Sequence, residues 1–227
     1  MVGAQFVNIG GTTKDINDLF AQNTLPGLDD NYAFQTTLLS WTGTGYRTYG
    51  WYADGDGSDP EMDWPEADAK WILNNQSDIA EVDIPAGVGF WIRIPQESQG
   101  GSLTMFGEVP ADTIAPVQIT GNEFTMIANP TPKAIDIQKI KPSASIPGLD
   151  ENYAFQTTIL LWTGTGYRTY GWYADGDGSD PEMDWPEADA KWILNNQSDI
   201  ADVSIPAGTA FWFRTTPGTT GTVTFAE

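Results

Sequence analysis

Two acidic loops hold the residues of this sequence that are best suited to bind an ion. Residues 54–63 place five carboxylates in ten positions, and the same ten residues recur at 175–184. Carboxylates this close raise each other's pKa unless a positive charge offsets them. Calcium meets this need, because it takes about six to eight oxygen ligands from carboxylates, carbonyls and water.

The start of each loop resembles the calcium loop of EF-hand proteins over residues 54–58, Asp-Gly-Asp-Gly-Ser. The likeness ends at the sixth position, which is Asp59 instead of glycine, and at the twelfth, which is Pro65 instead of glutamate. It therefore implies no EF-hand helices. A solvated acidic turn is the alternative, because Asp-Gly sequences form turns without metal. Magnesium fits less well, since it keeps more water. The predicted calcium ligands are Asp54, Asp56, Ser58, Asp59, Glu61, Asp63, Asp175, Asp177, Ser179, Asp180, Glu182 and Asp184.

Each half of the chain also carries more aromatic residues than one small core accommodates. Neighbouring residues of a strand point to opposite faces, so we expect some of these rings to be partly exposed. We assign Trp41 and Trp91 to the core, where bulky rings cover glycines. The rings that flank the acidic loop are predicted to stack on sugars or to anchor a protein interface. They are Trp51, Tyr52 and Trp64, with Trp172, Tyr173 and Trp185 in the second half.

Two residue types that carry much enzyme chemistry do not occur in this sequence, histidine and cysteine. The commonest general base and transition-metal ligand is therefore missing, as are thiolate nucleophiles and disulfides. Paired carboxylates such as Glu61 with Asp63 or Glu66 would suit a hydrolase, but nothing distinguishes one of these acids from the others. We predict that the protein is not an enzyme and has no catalytic residues.

The charge balance excludes some partners. The net charge is −21, from 31 acidic and 10 basic residues. Such a field repels nucleic acid and anionic lipid and attracts cations. No stretch approaches the roughly 20 apolar residues that cross a bilayer. We therefore predict no nucleic acid partner and no direct membrane insertion.

The sequence repeats itself at an offset of 121 positions. Residues 26–94 align without a gap onto residues 147–215, and residues 41–80 are identical to residues 162–201. A near-identical pair of modules favours a bivalent binder or a building block over one active site between two halves.

A weaker likeness continues upstream, between residues 3–9 and residues 121–127. Self-similarity at a fixed offset indicates repeated structural units. We therefore predict two β-rich domains, residues 1–110 and residues 117–227.

Alternation and turn residues predict short strands along each copy. Residues 34–41 and 46–52 form a hairpin in this prediction, and residues 90–94 and 102–106 add two more strands. Short strands separated by glycine and proline predict an all-β fold, a β-sandwich or a small barrel, duplicated in tandem.

At most one short helix is expected in each copy. Residues 65–73 are the candidate, because Pro65 suits the first helical position and acidic residues follow it. The same segment could instead end in a strand at residues 70–73, and the sequence does not separate these alternatives.

The runs Gly-Tyr-Arg-Thr-Tyr-Gly-Trp-Tyr at 45–52 and Ile-Pro-Ala-Gly at 84–87, the latter leading to Phe90 and Trp91, carry a family resemblance. They resemble uncharacterised secreted tandem β-repeat surface proteins of environmental bacteria. The resemblance covers most of each copy and implies export and a β fold, with no catalytic residues to carry over. Residues 1–5 lack the basic and apolar regions of a signal peptide. We expect a secreted or cell-surface chain whose leader has been removed.

These observations predict an extracellular structural protein that self-assembles with copies of itself into a surface layer or filament. The alternating segments around Phe6 and at residues 223–225 are expected to complete neighbouring sheets. Calcium in the acidic loops would offset the charge repulsion between chains. The alternative is a lectin-like tandem module that binds glycans through Trp51, Tyr52 and Trp64 beside a calcium loop.

Overall fold

A computed structural model of the protein describes most of the chain. The described residues are 2–3, 13–20, 22–23, 25–28, 33–53, 64, 66–74, 78–95, 103–105, 115–150, 152–174, 185, 187–195 and 199–226. We refer to the described residues up to 105 as module 1 and to those from 115 onward as module 2.

Module 1 consists of short strands and one helical turn. Its elements are β1 (Val2–Gly3), β2 (Thr13–Asp15), α1 (Ile16–Leu19), β3 (Gln22–Asn23), β4 (Thr37–Trp41), β5 (Tyr46–Tyr52), β6 (Lys70–Leu73), β7 (Asp83–Pro85), β8 (Gly89–Arg93) and β9 (Leu103–Thr104).

Module 2 repeats this pattern with longer outer strands. Its elements are β10 (Val117–Thr120), β11 (Phe124–Ala128), β12 (Ile135–Asp136), a 3₁₀ helix (Ile137–Lys139), β13 (Ile140–Pro142), β14 (Thr158–Trp162), β15 (Tyr167–Tyr173), β16 (Lys191–Leu194), β17 (Ser204–Ile205), β18 (Ala210–Arg214) and β19 (Thr220–Phe225).

Each module contains one five-stranded antiparallel sheet, and the two sheets share one strand order. The order is β1-β8-β4-β5-β6 in module 1 and β11-β18-β14-β15-β16 in module 2. Smaller sheets cover one face of each: β2-β7 and β3-β9 in module 1, β12-β17 and β10-β19-β13 in module 2. Each apolar core lies between the large and small sheets. The predicted all-β fold is confirmed, with a sandwich arrangement.

The predicted hairpin forms in both modules around a four-residue turn. In module 1 the Thr42 amide donates to the Gly45 carbonyl at 2.9 Å. Gly43 has φ +97°, a conformation that side chains rarely adopt. Farther along β5, a Cβ on Gly50 would collide with the ring of Phe34, so an aromatic ring covers a glycine as expected.

In each module, an amide side chain of the short helix forms hydrogen bonds with the backbone of the large sheet and of the segment after it. In module 1, Asn17 accepts from the Trp71 amide at 2.6 Å and donates to the Ala80 carbonyl at 2.8 Å. Gln138, 121 positions later, accepts from the Trp192 amide at 2.9 Å. It also donates to the carbonyls of Trp192, at 2.7 Å, and Ala201, at 2.9 Å. These bonds satisfy buried backbone groups that would otherwise destabilise the fold.

The helical segment is not where the sequence placed it. Residues 66–69 form turns and residues 70–73 form β6, so the strand alternative is correct for this segment. The helical turns lie instead at residues 16–19 and 137–139, where Asp15 and Asp136 accept backbone hydrogen bonds as N-caps. No helix within the described ranges is long and apolar enough to cross a membrane.

The upstream alignment is also corrected. Val2 pairs with Phe90 in module 1, whereas Ile127 pairs with the equivalent Phe211 in module 2. Val2 therefore occupies the position of Ile127, which the alignment of residues 3–9 with 121–127 does not predict.

The predicted sheet-completing end at residues 223–225 is not a free edge. These residues belong to β19, which lies between β10 and β13 and is hydrogen-bonded on both sides. Phe6, predicted to play the same part at the other end, lies outside the described residues.

Candidate functional site

The two modules pack against each other through the outer faces of their large sheets. Along β8, Phe90 points into the module core while Trp91 packs in a separate cluster. Trp41 of β4 belongs to that same cluster, together with Met126, Ala210 and other residues of module 2. Each large sheet is thus covered on both faces, one by its own module and one by the other module.

The tryptophan contacts between modules are reciprocal. Trp41 meets Trp212 edge to face, with ring centroids 5.4 Å apart and an interplanar angle of 85°. Trp91 meets Trp162 in the same manner, at 6.2 Å and 71°. Trp162 is equivalent to Trp41 and Trp212 to Trp91 in the repeat. The ring at position 41 of the repeat thus contacts the ring at position 91 of the other module, in both directions. This reciprocity is the pattern of a two-fold interface.

A tyrosine adds to the rings on each side of the pseudo-two-fold axis. Tyr46 packs on Trp41 and Tyr167 packs on Trp162, each with ring centroids 5.1 Å apart. The indole nitrogen of Trp212 donates to the Tyr167 hydroxyl at 3.3 Å. We call this set the aromatic junction; its members are Trp41, Tyr46, Trp91, Trp162, Tyr167 and Trp212.

Backbone groups also connect the modules at the aromatic junction. The Trp41 indole nitrogen donates to the Phe124 carbonyl at 2.9 Å. The Ala128 amide donates to the Gly87 carbonyl at 2.8 Å, and Val88 forms an isolated antiparallel bridge with Ile127. The indole nitrogen and the chain turn before β8 thereby gain hydrogen-bond partners in the other module.

The rim of the aromatic junction is open to solvent. Tyr46 is 45% exposed, Tyr167 is 43% exposed and Trp162 is 38% exposed. Large side chains this exposed and this close to one another form a patch, which marks a binding or association surface more often than scattered ones do. Their rings have the chemistry to stack on a sugar or on another aromatic surface.

Partial burial changes the acidity of one tyrosine at this rim. Burial raises the pKa of the Tyr46 hydroxyl above its usual value of 10.0, and the neighbouring Tyr167 raises it further. A hydrogen bond with the Trp91 side chain acts in the opposite direction. The neutral hydroxyl is therefore the form that the junction favours.

Two of the three predicted stacking residues of module 1 are buried. Trp51 is only 3% exposed and packs on Trp71 in the core, with centroids 5.3 Å apart. Tyr52 is buried, and its hydroxyl accepts from the Trp64 amide at 3.0 Å. The expectation that Trp51 and Tyr52 present ring faces to a ligand is corrected, since burial leaves them little surface for stacking. Trp64 is half-buried and packs edge to face on Tyr52.

Module 2 repeats these positions closely. Trp172 is buried against Trp192 with centroids 5.1 Å apart. Tyr173 is buried and accepts from the Trp185 amide at 3.1 Å. Trp185 keeps a partly exposed ring. The same correction therefore applies to Trp172 and Tyr173.

The predicted calcium loops, residues 54–63 and 175–184, lie outside the described residues. Their flanks are described: β5 and β15 lead into them, and Trp64 and Trp185 follow them. Elsewhere, within the ranges that the structure describes, no three acidic side chains come together in a way that would hold a metal ion. Calcium binding by these loops stays a prediction.

The aromatic junction was missed by the sequence analysis, which assigned Trp41 and Trp91 to a core within each copy. A signal for it is present in the strands. Residues 38–39 and 90–92 are apolar at consecutive positions, which is typical of a strand buried on both faces. One face was therefore available to the other module.

Comparisons with family models, with curated proteins and with solved structures found no significant match for this chain. The geometry of the aromatic junction and the charge of the chain are therefore the observations that bear on function.

Proposed function

We propose that this chain is an extracellular structural protein that self-assembles into a surface layer or filament, with calcium bound in its acidic loops. The observation that carries the proposal is the reciprocal pairing of Trp41 with Trp212 and of Trp91 with Trp162. A surface that is complementary to its own repeat is what a building block needs, because symmetric assemblies form through self-complementary contacts.

The negative charge of the chain is the reason why calcium is part of this proposal. A chain with net charge −21 repels its copies, and that repulsion opposes assembly. The two acidic loops contribute ten carboxylates between them, five in each run. Calcium bound there lowers the repulsion and gives assembly a dependence on the ion.

Electron microscopy of the purified protein with calcium and with excess chelator tests the proposal. We expect filaments or sheets with calcium and dispersed particles in chelator. A variant with Asp54, Asp56, Asp175 and Asp177 changed to asparagine should assemble without responding to calcium. The matched control also removes four charges, by changing the exposed acids Asp78, Glu81, Asp199 and Asp202 to their amides. Dispersed particles under every calcium condition would reject self-assembly, and assemblies that ignore chelator would reject the role of calcium.

Carbohydrate binding is the second candidate function, and the exposed rings at the rim of the aromatic junction favour it. Tyr46, Trp162 and Tyr167 present the aromatic surface that Trp51 and Tyr52 lack. The high negative charge favours neutral glycans over acidic ones. A glycan array should then show binding by the native chain that Trp162→Ala removes. Ile200→Ala is the control, since this exposed side chain belongs to neither the junction nor the loops. An array without hits would exclude this function.

A further inference from the structure

Two equivalent residues face each other near the pseudo-two-fold axis of the junction, and they differ. They are Gly89 of module 1 and Ala210 of module 2, which are 121 positions apart. A Cβ placed on Gly89 would lie 2.8 Å from the Ala210 Cβ and 2.6 Å from Cγ of Met126. Carbon atoms of packed side chains do not approach this closely. One glycine and one alanine is therefore the combination that this approach accommodates.

The other junction rings do not distinguish the modules. Tryptophan occupies both copies of positions 41 and 91, and tyrosine occupies both copies of position 46. By residue type alone, these rings would allow a pair of module 1 copies, a pair of module 2 copies or one of each. The residues at the axis distinguish these three pairings. Two alanines would overlap there, and two glycines would leave a gap.

We infer that Gly89 and Ala210 make this surface selective for the unlike module, and that its partner between chains is a second copy of this chain. When the internal pair opens, module 1 of one chain binds module 2 of another through the contacts already described. This inference deepens the proposed function, and its intermolecular half rests on it. A contact that joins unlike ends does not have to close on itself, so it produces open chains of molecules.

The backbone contacts between the modules agree with this selectivity. The Gly87 carbonyl and the Val88 bridge belong to module 1, and the Ala128 amide and Ile127 belong to module 2. The turn before β8 is thus hydrogen-bonded through its backbone to β11 of module 2.

A mixing experiment on the full chain tests the inference. Gly89→Leu blocks the face of module 1 and leaves module 2 native, while Ala210→Leu does the reverse. Each variant alone should elute as a single chain. An equimolar mixture should form a one-to-one dimer, which doubles the mass measured by light scattering. A mixture that keeps the mass of one chain would overturn the inference, as would either variant that dimerises alone as readily as the mixture.

A second experiment uses smaller substitutions, because the leucine substitutions could unfold the protein. It exchanges the residues at positions 89 and 210. Gly89→Ala alone should loosen the internal pair and increase the radius of gyration measured by X-ray scattering. Adding Ala210→Gly removes the overlap of the two Cβ atoms, whereas the contacts with Met126 Cγ at 2.6 Å and the Ile127 carbonyl oxygen at 3.2 Å remain. The double variant should therefore regain part of the difference from the native radius. A double variant as expanded as Gly89→Ala would contradict selectivity at the axis.

These measurements are separable from the test of the proposed function. Mixing is performed in chelator at dilute concentration, so it does not depend on calcium or on filaments. Mixed dimers without filaments from the native chain would support selectivity and reject self-assembly. Filaments without mixed dimers would keep the proposed function and reject this surface as its basis.

Discussion

Trp71 and Trp192 lie in identical stretches of sequence, yet their indole groups differ in hydrogen bonding. Both rings are fully buried. The Trp192 indole nitrogen donates to the Ile140 carbonyl at 2.7 Å. The Trp71 indole nitrogen is buried and has no hydrogen-bond partner among the described residues. An identical segment therefore acquires different interactions from the different residues that flank it.

A threonine repeats this contrast at the start of the hairpin. The Thr157 hydroxyl donates to the Pro147 carbonyl at 2.6 Å. The hydroxyl of its equivalent, Thr36, is buried and unpaired within the part of the chain that the structure describes. A buried polar group without a partner destabilises a fold by about 1–3 kcal/mol. We therefore expect module 1 to be the less stable of the two.

The largest effect is expected from the polar side chains of the two helical turns. Gln138→Ala leaves three backbone bonds unmade and should lower the free energy of unfolding by about 3–4 kcal/mol, whereas Asn17→Ala leaves two unmade and should lower it by about 2–3 kcal/mol. Urea unfolding followed by circular dichroism measures both. Gln118→Ala, at an exposed site, is the control. Equal losses from the two variants would contradict this ranking.

The next largest effect compares the two indoles. Trp192→Phe and Trp71→Phe remove similar ring volume, but only the first breaks a hydrogen bond, while the second removes an unpaired donor. Trp192→Phe should therefore cost about 2 kcal/mol more in unfolding free energy. Chemical denaturation of the two variants gives this difference. A Trp71→Phe variant as unstable as Trp192→Phe would show that the Trp71 indole has a partner in solution.

A smaller effect separates the two threonines. Thr157→Val removes a donor to the Pro147 carbonyl and should destabilise the protein by about 1 kcal/mol. Thr36→Val keeps the shape and removes an unpaired hydroxyl, so it should be neutral or stabilise by up to about 1 kcal/mol. Thermal unfolding resolves shifts of this size. A loss on Thr36→Val that matches Thr157→Val would remove this distinction between the modules.

The smallest effect concerns pH at the junction where the modules meet. Burial raises the pKa of Tyr46 above 10.0, so the stabilisation of the neutral hydroxyl is fully present below that value. It is lost as the pH rises through the raised pKa, because the unfolded chain ionises first. The melting temperature of Tyr46→Phe should therefore fall less steeply than that of the native chain above about pH 10. A slope for Tyr46→Phe identical to that of the native chain would contradict the prediction.

Local patterns in the sequence predicted much of each sheet but little of how the sheets meet. The hairpin of residues 37–52 and the strand at Gly89–Arg93 follow from alternation and turn residues. The aromatic junction could not be predicted in this way, because the repeat does not show which sheet faces of the two modules pack against each other. Trp41 and Trp91 could therefore be recognised as apolar but not assigned a partner.

The polar bridges were unpredictable for a different reason. Asn17 and Gln138 lie outside the aligned repeat, and a lone amide side chain has many structural roles. A signal does exist, because Asp-Ile-Asn at 15–17 and Asp-Ile-Gln at 136–138 share the repeat offset of 121. An N-cap followed by an amide, twice at one spacing, indicates a repeated helix start.

The central place of β19 has a consequence for how this protein is made. Residues 220–225 are synthesised after β10 and β13, yet both of these strands bond to them. The small sheet of module 2 therefore cannot form during translation of the preceding residues, whereas module 1 has all of its described strands by residue 104. Module 1 can therefore begin to fold before module 2. Its Trp41 and Trp91 stay uncovered until Trp162 and Trp212 of module 2 have been synthesised.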